Sequence, residues 1–247
     1  MKPLVIVSLT CALFGLAAPA GAEGNKEWSL DVSPYLWVAS VGIDTSLPAT
    51  SPSTSPTVDR FDTRISAGAM LAAEARYRSV GLFVDFAWLQ LKTEAISPGP
   101  LYSAVNLKSD FIHSTAALTY RLPLEGKFQV EALAGARIWH VANDLESTKG
   151  LLPAFDASAD RTWVDPMIGA SLNYELSKRW SVGLRGLVGG FGVSADIAGE
   201  VFAGVTYSYK EWGSVTLGYR YLYEKYDRAC KFSLDTQGFL LGFGFHF

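Results

Sequence analysis

The feature that most constrains this chain is an alternation of apolar and polar residues with a period of two, repeated along most of its length. Successive side chains of a strand point to opposite faces, so this pattern specifies sheet with one apolar and one polar face; a helix needs a period near 3.6. From Ser214 to Glu224, one face holds Val215, Leu217, Tyr219, Tyr221 and Tyr223. The other holds Ser214, Thr216, Gly218, Arg220 and Glu224, and Leu222 dissents. The segment before it sets Ile197, Val201, Ala203, Val205, Tyr207 and Tyr209 against Glu200, Gly204, Thr206, Ser208 and Lys210, with Phe202 as its exception.

Ten segments read this way: Glu27 to Ser40, Arg64 to Tyr77, Val80 to Thr93, Tyr102 to Leu122, Lys127 to Leu145, Arg161 to Leu176, Trp180 to Val193, Ile197 to Lys210, Trp212 to Tyr226 and Lys231 to Phe247. The pattern predicts an all-β fold, a closed antiparallel up-and-down barrel of about ten strands, with eight to twelve compatible. Connection lengths alternate in support. Tight links fall at Arg78 and Ser79, Pro123 to Gly126, Ser177 to Arg179 and Glu211; longer ones fall at 41–63, 94–101 and 146–160. The brief links at 194–196 and 227–230 fit that alternation poorly. Residues 46–56 are polar and punctuated by prolines, with little to bury. Pro34 and Pro166 fall inside proposed strands, where a closed barrel has no edge for a missing N–H, so a bulge or a strand end is expected at each.

The first residues carry Lys2, an apolar stretch from Leu4 to Leu16 and small residues up to Ala22. This reads as a secretory signal peptide over 1–22, too short to span a bilayer, followed by a barrel over 23–247, exported through the Sec pathway. The residues around Cys11 do not read as a lipoprotein cleavage site. Of the 21 basic residues only Lys2 would leave with the leader, so 20 remain against 24 acidic ones, and Cys230 becomes the sole cysteine, which excludes an intramolecular disulfide. That balance gives no footprint for nucleic acid. Charged residues make up 18% of the chain, below the roughly 25% of soluble proteins. Beyond the leader no apolar run approaches the roughly 20 residues of a membrane helix, so a membrane address requires a barrel.

Alternation alone also fits a soluble barrel with an apolar interior, so the chemistry of the faces has to decide. Trp28, Tyr77, Tyr120, Phe128, Tyr174, Trp180, Tyr207 and Tyr209 lie toward the periplasmic ends of their strands, as an aromatic girdle would. The polar faces carry isolated charges of both signs: Asp31, Glu74, Arg76, Asp85, Glu131, Arg137, Asp165, Glu175, Arg185, Glu200, Arg220 and Glu224. Arginines among carboxylates suit paired charges in a narrow lumen, and a barrel of this size is close to being filled by its own side chains. If the arginines instead gathered on one side, they would line a narrow channel for small anions.

At the other end of the chain Phe239, Leu241, Phe243, Phe245 and Phe247 alternate with Leu240, Gly242, Gly244 and His246. This resembles the C-terminal signal of outer-membrane barrels, which implies recognition by the barrel-assembly machinery. Pro34-Tyr35-Leu36-Trp37, Ala134 to Trp139, Trp163-Val164-Asp165-Pro166, Gly189 to Val193 and Gly218 to Leu222 resemble stretches of uncharacterised proteobacterial outer-membrane proteins, related in architecture to small OmpA-like and opacity-type barrels. That resemblance implies a barrel in contact with outer-membrane lipid, and brings no ligand or reaction with it.

Candidate chemistry is sparse. Three histidines, His113, His140 and His246, share no metal-ligand spacing. His113 and Ser114 are adjacent, so on a strand they face opposite ways and cannot act as nucleophile and base. Asp144 with Asp165, or Glu200 with Glu224, could serve a hydrolase only if the fold brought a pair to one water. Gly189-Gly190-Phe191-Gly192 has no helix after it and reads as strand rather than a phosphate loop. The reading is therefore a non-enzymatic envelope barrel with a charge-plugged lumen, no cofactor and no metal. A narrow channel is the alternative, and a lipid-modifying enzyme a third.

Overall fold

The computed structural model describes residues 27–46, 62–95, 102–149, 153–154, 156–227 and 231–247. The leader expected at 1–22, the proline-rich segment 47–61 and Cys230 lie outside the described residues. Ten antiparallel strands close into one barrel: β1 Trp28–Ser46, β2 Asp62–Tyr77, β3 Val80–Ala95, β4 Tyr102–Arg121, β5 Phe128–Lys149, β6 Asp156–Glu175, β7 Trp180–Gly189, β8 Ile197–Lys210, β9 Gly213–Asp227 and β10 Lys231–His246. Each pairs with its chain neighbours, and β10 returns to β1, from Asp31↔His246 to Ser46↔Lys231. Closure is completed beyond the last strand: Phe247 donates its N–H to the Leu30 carbonyl at 2.9 Å, and Leu30 returns one to Phe247 at 3.2 Å.

The alternation resolves into two faces as read. Leu82, Leu118, Ile168, Leu184, Val201, Leu217 and Phe239 are exposed on the outer wall, while Asp85, Glu131, Arg137, Glu200 and Arg220 are buried inside. The apolar surface is thus outside, the reverse of a soluble barrel. The two dissenting residues, Leu222 and Phe202, point inward and pack in the lumen, Leu222 being 1% exposed. Aromatic pairs ring the end with short turns: Trp28 and Tyr77 at 4.8 Å, Phe128 and Tyr174 at 4.5 Å, Trp180 and Tyr207 at 4.9 Å between ring centroids.

Three differences from the sequence reading have physical causes. Strands β1, β5 and β6 run further at the long-loop end, to Ser46, to Lys149 and from Asp156; Asp156 to Thr162 are exposed on both faces, and with only alanines against polar residues the alternation there is too weak to mark a strand. Strand β7 stops at Gly189 rather than Val193, because Gly190, Phe191 and Gly192 take φ of 85°, 46° and 73°, a left-handed turn that glycine adopts without penalty. Pro34 causes no bulge. The β1–β10 register is the same on either side of it, and the β1–β2 ladder ends at Pro34↔Leu71. Pro166 lies inside β6, paired with Ala136 of β5 without a bulge, so neither a bulge nor a strand end occurs there; its missing N–H falls one residue beyond the β6–β7 ladder, which begins at Met167↔Gly189. Bulges occur instead at Ile65/Ala67, Tyr102/Ala104 and Ser208/Lys210.

Candidate functional site

Among the described residues the lumen is where the fold concentrates charge away from solvent, and its partners come from strands far apart in the chain. Arg220 on β9 holds Asp85 of β3 at 2.6 Å and Glu200 of β8 at 3.1 Å, and donates to the Tyr35 hydroxyl of β1 at 3.0 Å. Tyr35 passes its own proton to Asp85 at 2.7 Å. Arg137 of β5 pairs with the same Glu200 and donates to Thr115 of β4 at 3.0 Å. Arg185 of β7 approaches Glu200 at 3.6 Å, its guanidinium 4.3 Å from the Phe83 ring and 5.7 Å from that of Phe202. Asp85, Arg137, Glu200 and Arg220 are each at most 2% exposed. Charges this deep are tolerated only when paired and hydrogen-bonded. A guanidinium suits that need, because its planar fork of five N–H donors can serve two carboxylates and a hydroxyl together.

A second network lies nearer the short-turn end. Arg76 binds Glu74 and reaches Glu131 at 2.7 Å; Arg121 binds Glu131 at 2.9 Å; Thr119 donates to Glu74 at 3.0 Å. It borders a cavity of about 340 Å³ that is also lined by Gln129, Asn173, Arg185 and Phe202. On the long-loop side of the Arg220 cluster, arginine gives way to aromatics. Trp163 donates to Glu224 at 2.5 Å and stacks on Trp139 at 5.9 Å; His113 packs on Trp139 at 4.8 Å.

The predicted lumen residues therefore fall into four groups. Arg76, Glu74 and Glu131 meet in one network; Asp85, Arg137, Arg185, Glu200 and Arg220 meet in another. Asp165 and Glu224 are buried beside them with other partners: Asp165 accepts the backbone N–H of Ala195 at 2.7 Å, Glu224 the indole of Trp163. Asp31 lies at the rim with His246, and Glu175 is exposed at the end of β6. Asp144 is exposed and Asp165 buried, so they share no water. His113 is buried in the lumen, and Ser114 is on the other parity of β4.

Sequence reasoning missed one constellation. His246 sits between Asp31, Nδ1 to Oδ1 at 2.5 Å, and Ser214, Nε2 to Oγ at 3.0 Å. The order is that of an acid, base and nucleophile, but the exposure is inverted: Ser214 is 3% exposed, while the Asp31 and His246 side chains are 45% and 38% exposed. The β9 and β10 backbone around it is laddered from Ser214↔Gly244 to Gly213↔Phe245, and among the described residues no pair of N–H groups converges on the Ser214 hydroxyl as an oxyanion site would need. What the three residues do is tie β1, β9 and β10 together at the seam. Ser214 and His246 are 32 residues apart in the chain and Asp31 and His246 215. Only the shared rim position of the three strand ends could have suggested the group. Among the described residues no group of three or more His, Cys, Asp or Glu side chains is placed to hold a metal.

A closed antiparallel barrel, apolar outside and charged inside, is the architecture of small outer-membrane barrels. No family model matches the chain, and no curated protein matches it. Among solved structures it is similar to the outer membrane protease OmpT of Escherichia coli, with a TM-score of 0.52, 8% identity, and coverage of 89% of this chain and 96% of that one. Ail, the attachment invasion locus protein of Yersinia pestis, aligns with a TM-score of 0.37, 14% identity and coverage of 89% and 98%. The outer membrane protein OprG of Pseudomonas aeruginosa aligns with a TM-score of 0.31, 13% identity and coverage of 89% and 95%. At these identities the likeness concerns the fold and leaves the activity open.

Proposed function

We propose that this protein is a non-enzymatic barrel of the Gram-negative outer membrane, a rigid wall that displays external loops and whose lumen is closed by its own ion pairs. The observation that carries this reading is the Arg220–Asp85–Glu200–Arg137 cluster, which draws together side chains of β3, β5, β8 and β9. A solute moving along the axis would have to separate guanidinium from carboxylate in a dry interior, and truncating one partner of such a pair costs about 3–5 kcal/mol. The apolar outer wall and the aromatic ring support a barrel set in lipid with the short turns facing the periplasm. Export by the Sec pathway with removal of 1–22, and recognition of the last strand through Phe239, Leu241, Phe243, Phe245 and Phe247 by the barrel-assembly machinery, complete the reading.

Inverted exposure at Ser214, with no oxyanion donor, supports the absence of catalysis. Two assays on refolded protein test the proposal. Liposomes carrying it should swell in small sugars no faster than empty ones, and a fluorophosphonate probe should leave Ser214 unlabelled. Rapid swelling would move the narrow-channel reading to first place. Labelling of Ser214 that depends on His246 would make the protein an enzyme.

A further inference from the structure

Strands β4, β5 and β6 are the longest of the wall, at 20, 22 and 20 residues, and β6 extends toward the long loops with one edge unladdered among the described residues. Its ladder with β5 runs the full height, from Phe128↔Tyr174 to Glu146↔Asp156, whereas its ladder with β7 covers only Met167↔Gly189 to Glu175↔Ser181. The turn after β7 serves the lowest part of the gap: Gly190 donates to the Pro166 carbonyl at 3.2 Å and Ser194 to the Val164 carbonyl at 2.8 Å. Backbone direction alternates along a strand, so the N–H and C=O groups of Thr162, Asp160, Ser158 and Asp156 point to the same side as those two carbonyls. Among the described residues no strand meets them there, and Asp156 to Thr162 are all exposed.

A bare edge is a template for another strand. Charge says which kind. On the outer face of this extension Glu146 stands directly opposite Asp156, and Asp144 opposite Ser158, with Asp160 two residues on. Like charges opposite one another destabilise a ladder. Lys108 is the neighbouring cation; it faces Asp144 across the β4–β5 ladder and binds Asp110 at 3.4 Å. On the other face β6 offers the small residues Ala157 and Ala159 and, nearer the wall, Arg161, so the acidic character belongs to the outer face.

We infer that the edge of β6 presented by the backbone of Asp156, Ser158, Asp160 and Thr162 docks an extended basic polypeptide segment, which adds as a strand by backbone pairing and sets alternate Lys or Arg side chains against the acidic outer face. The inference uses the external placement of this end of the barrel from the reading above; a conducting lumen would overturn that reading and leave this edge untouched.

The probe is an eight-residue peptide of alternating Lys and Val bearing fluorescein, titrated by fluorescence polarisation against the refolded barrel in detergent micelles, with a Glu–Val peptide as control. Saturable binding of the Lys–Val peptide, weakened by salt, is expected. Ser158→Pro removes an edge N–H at a position where proline is tolerated, so the barrel still folds and keeps its heat-dependent gel shift. Affinity should fall at least about 10-fold, the loss of a ladder hydrogen bond plus a steric block. Asp156→Lys with Asp160→Lys should transfer preference to the Glu–Val peptide. Three outcomes would overturn the inference. The wild type could fail to bind saturably. Ser158→Pro could bind as well as wild type, which would make the contact charge adhesion alone. Sedimentation could show a barrel dimer that excludes the peptide, which would make a second copy the occupant.

Discussion

The two ends of the barrel solve the same problem differently. Toward the short turns, Arg76, Arg121, Glu74 and Glu131 pair among themselves, aromatic rings pair around the outside, and Phe247 and Leu30 close the seam with two backbone hydrogen bonds. Toward the long loops, Glu224 takes an indole, Asp165 takes a backbone amide, the β1–β2 ladder has ended at Pro34, and among the described residues β6 beyond Met167 is laddered to β5 alone. In lipid each backbone polar group must find a partner inside the protein, and each buried charge a counter-charge. Beyond the bilayer, water supplies both to exposed groups such as those of Asp156 to Thr162, whereas Asp165 and Glu224, at 0% and 1% exposure, depend on the amide and the indole. The upper end is therefore free to be irregular.

The sharpest way to break this comparison is to remove the arginine that the central cluster shares. Arg220→Ala leaves Asp85 and Glu200 buried with fewer donors and should cost about 3–5 kcal/mol in urea unfolding. A loss near that of an ordinary surface change would mean the cluster is wet. Trp163→Phe asks the same of the upper half, where Glu224 loses its indole donor; about 1–3 kcal/mol is expected from a buried acceptor left unmet. If both losses were equal, arginine pairing would not distinguish the ends. Deleting Phe247 removes the two closing hydrogen bonds, about 1–3 kcal/mol together at most. In cells it should lower the amount of heat-modifiable barrel without changing precursor export, and normal barrel levels would argue against an assembly signal.

The smallest effect is electrostatic and lies at the short-turn rim. The Arg78 guanidinium, and after it the Tyr77 hydroxyl, hold the Glu27 carboxyl below its ordinary value of 4.5. A carboxyl whose pKa drops on folding stabilises the fold above its unfolded pKa and gives that up as pH falls through the folded one. Glu27 is fully exposed and screened. Wild type and Glu27→Gln should thus differ slightly at neutral pH and converge in acid. A difference that grew on acidification would reverse the sign.

Strand number was legible because a membrane wall enforces alternation on each strand that crosses it. Even the exceptions carried information: Leu222 and Phe202 broke the pattern because the lumen needs packing as well as charge. The upper extension of β6 was illegible for the opposite reason, since a strand exposed on both faces carries no large apolar residue to mark its period, and Ala157 and Ala159 mark it only faintly. Which charges meet was not legible either. Arg220 reaches Asp85 across 135 residues of chain, a pairing set by strand tilt and shear around the closed barrel. The same rule hid His246, whose partners on β1 and β9 become neighbours only when the barrel closes.

Single-channel conductance in planar bilayers tests the central claim most directly, with wild type and Arg220→Ala compared after a gel shift has shown each to be folded. A silent wild type beside a variant that conducts would mean that ion pairs close the lumen. Discrete, ion-selective steps from the wild type would contradict a closed barrel and make the arginines the lining of a channel.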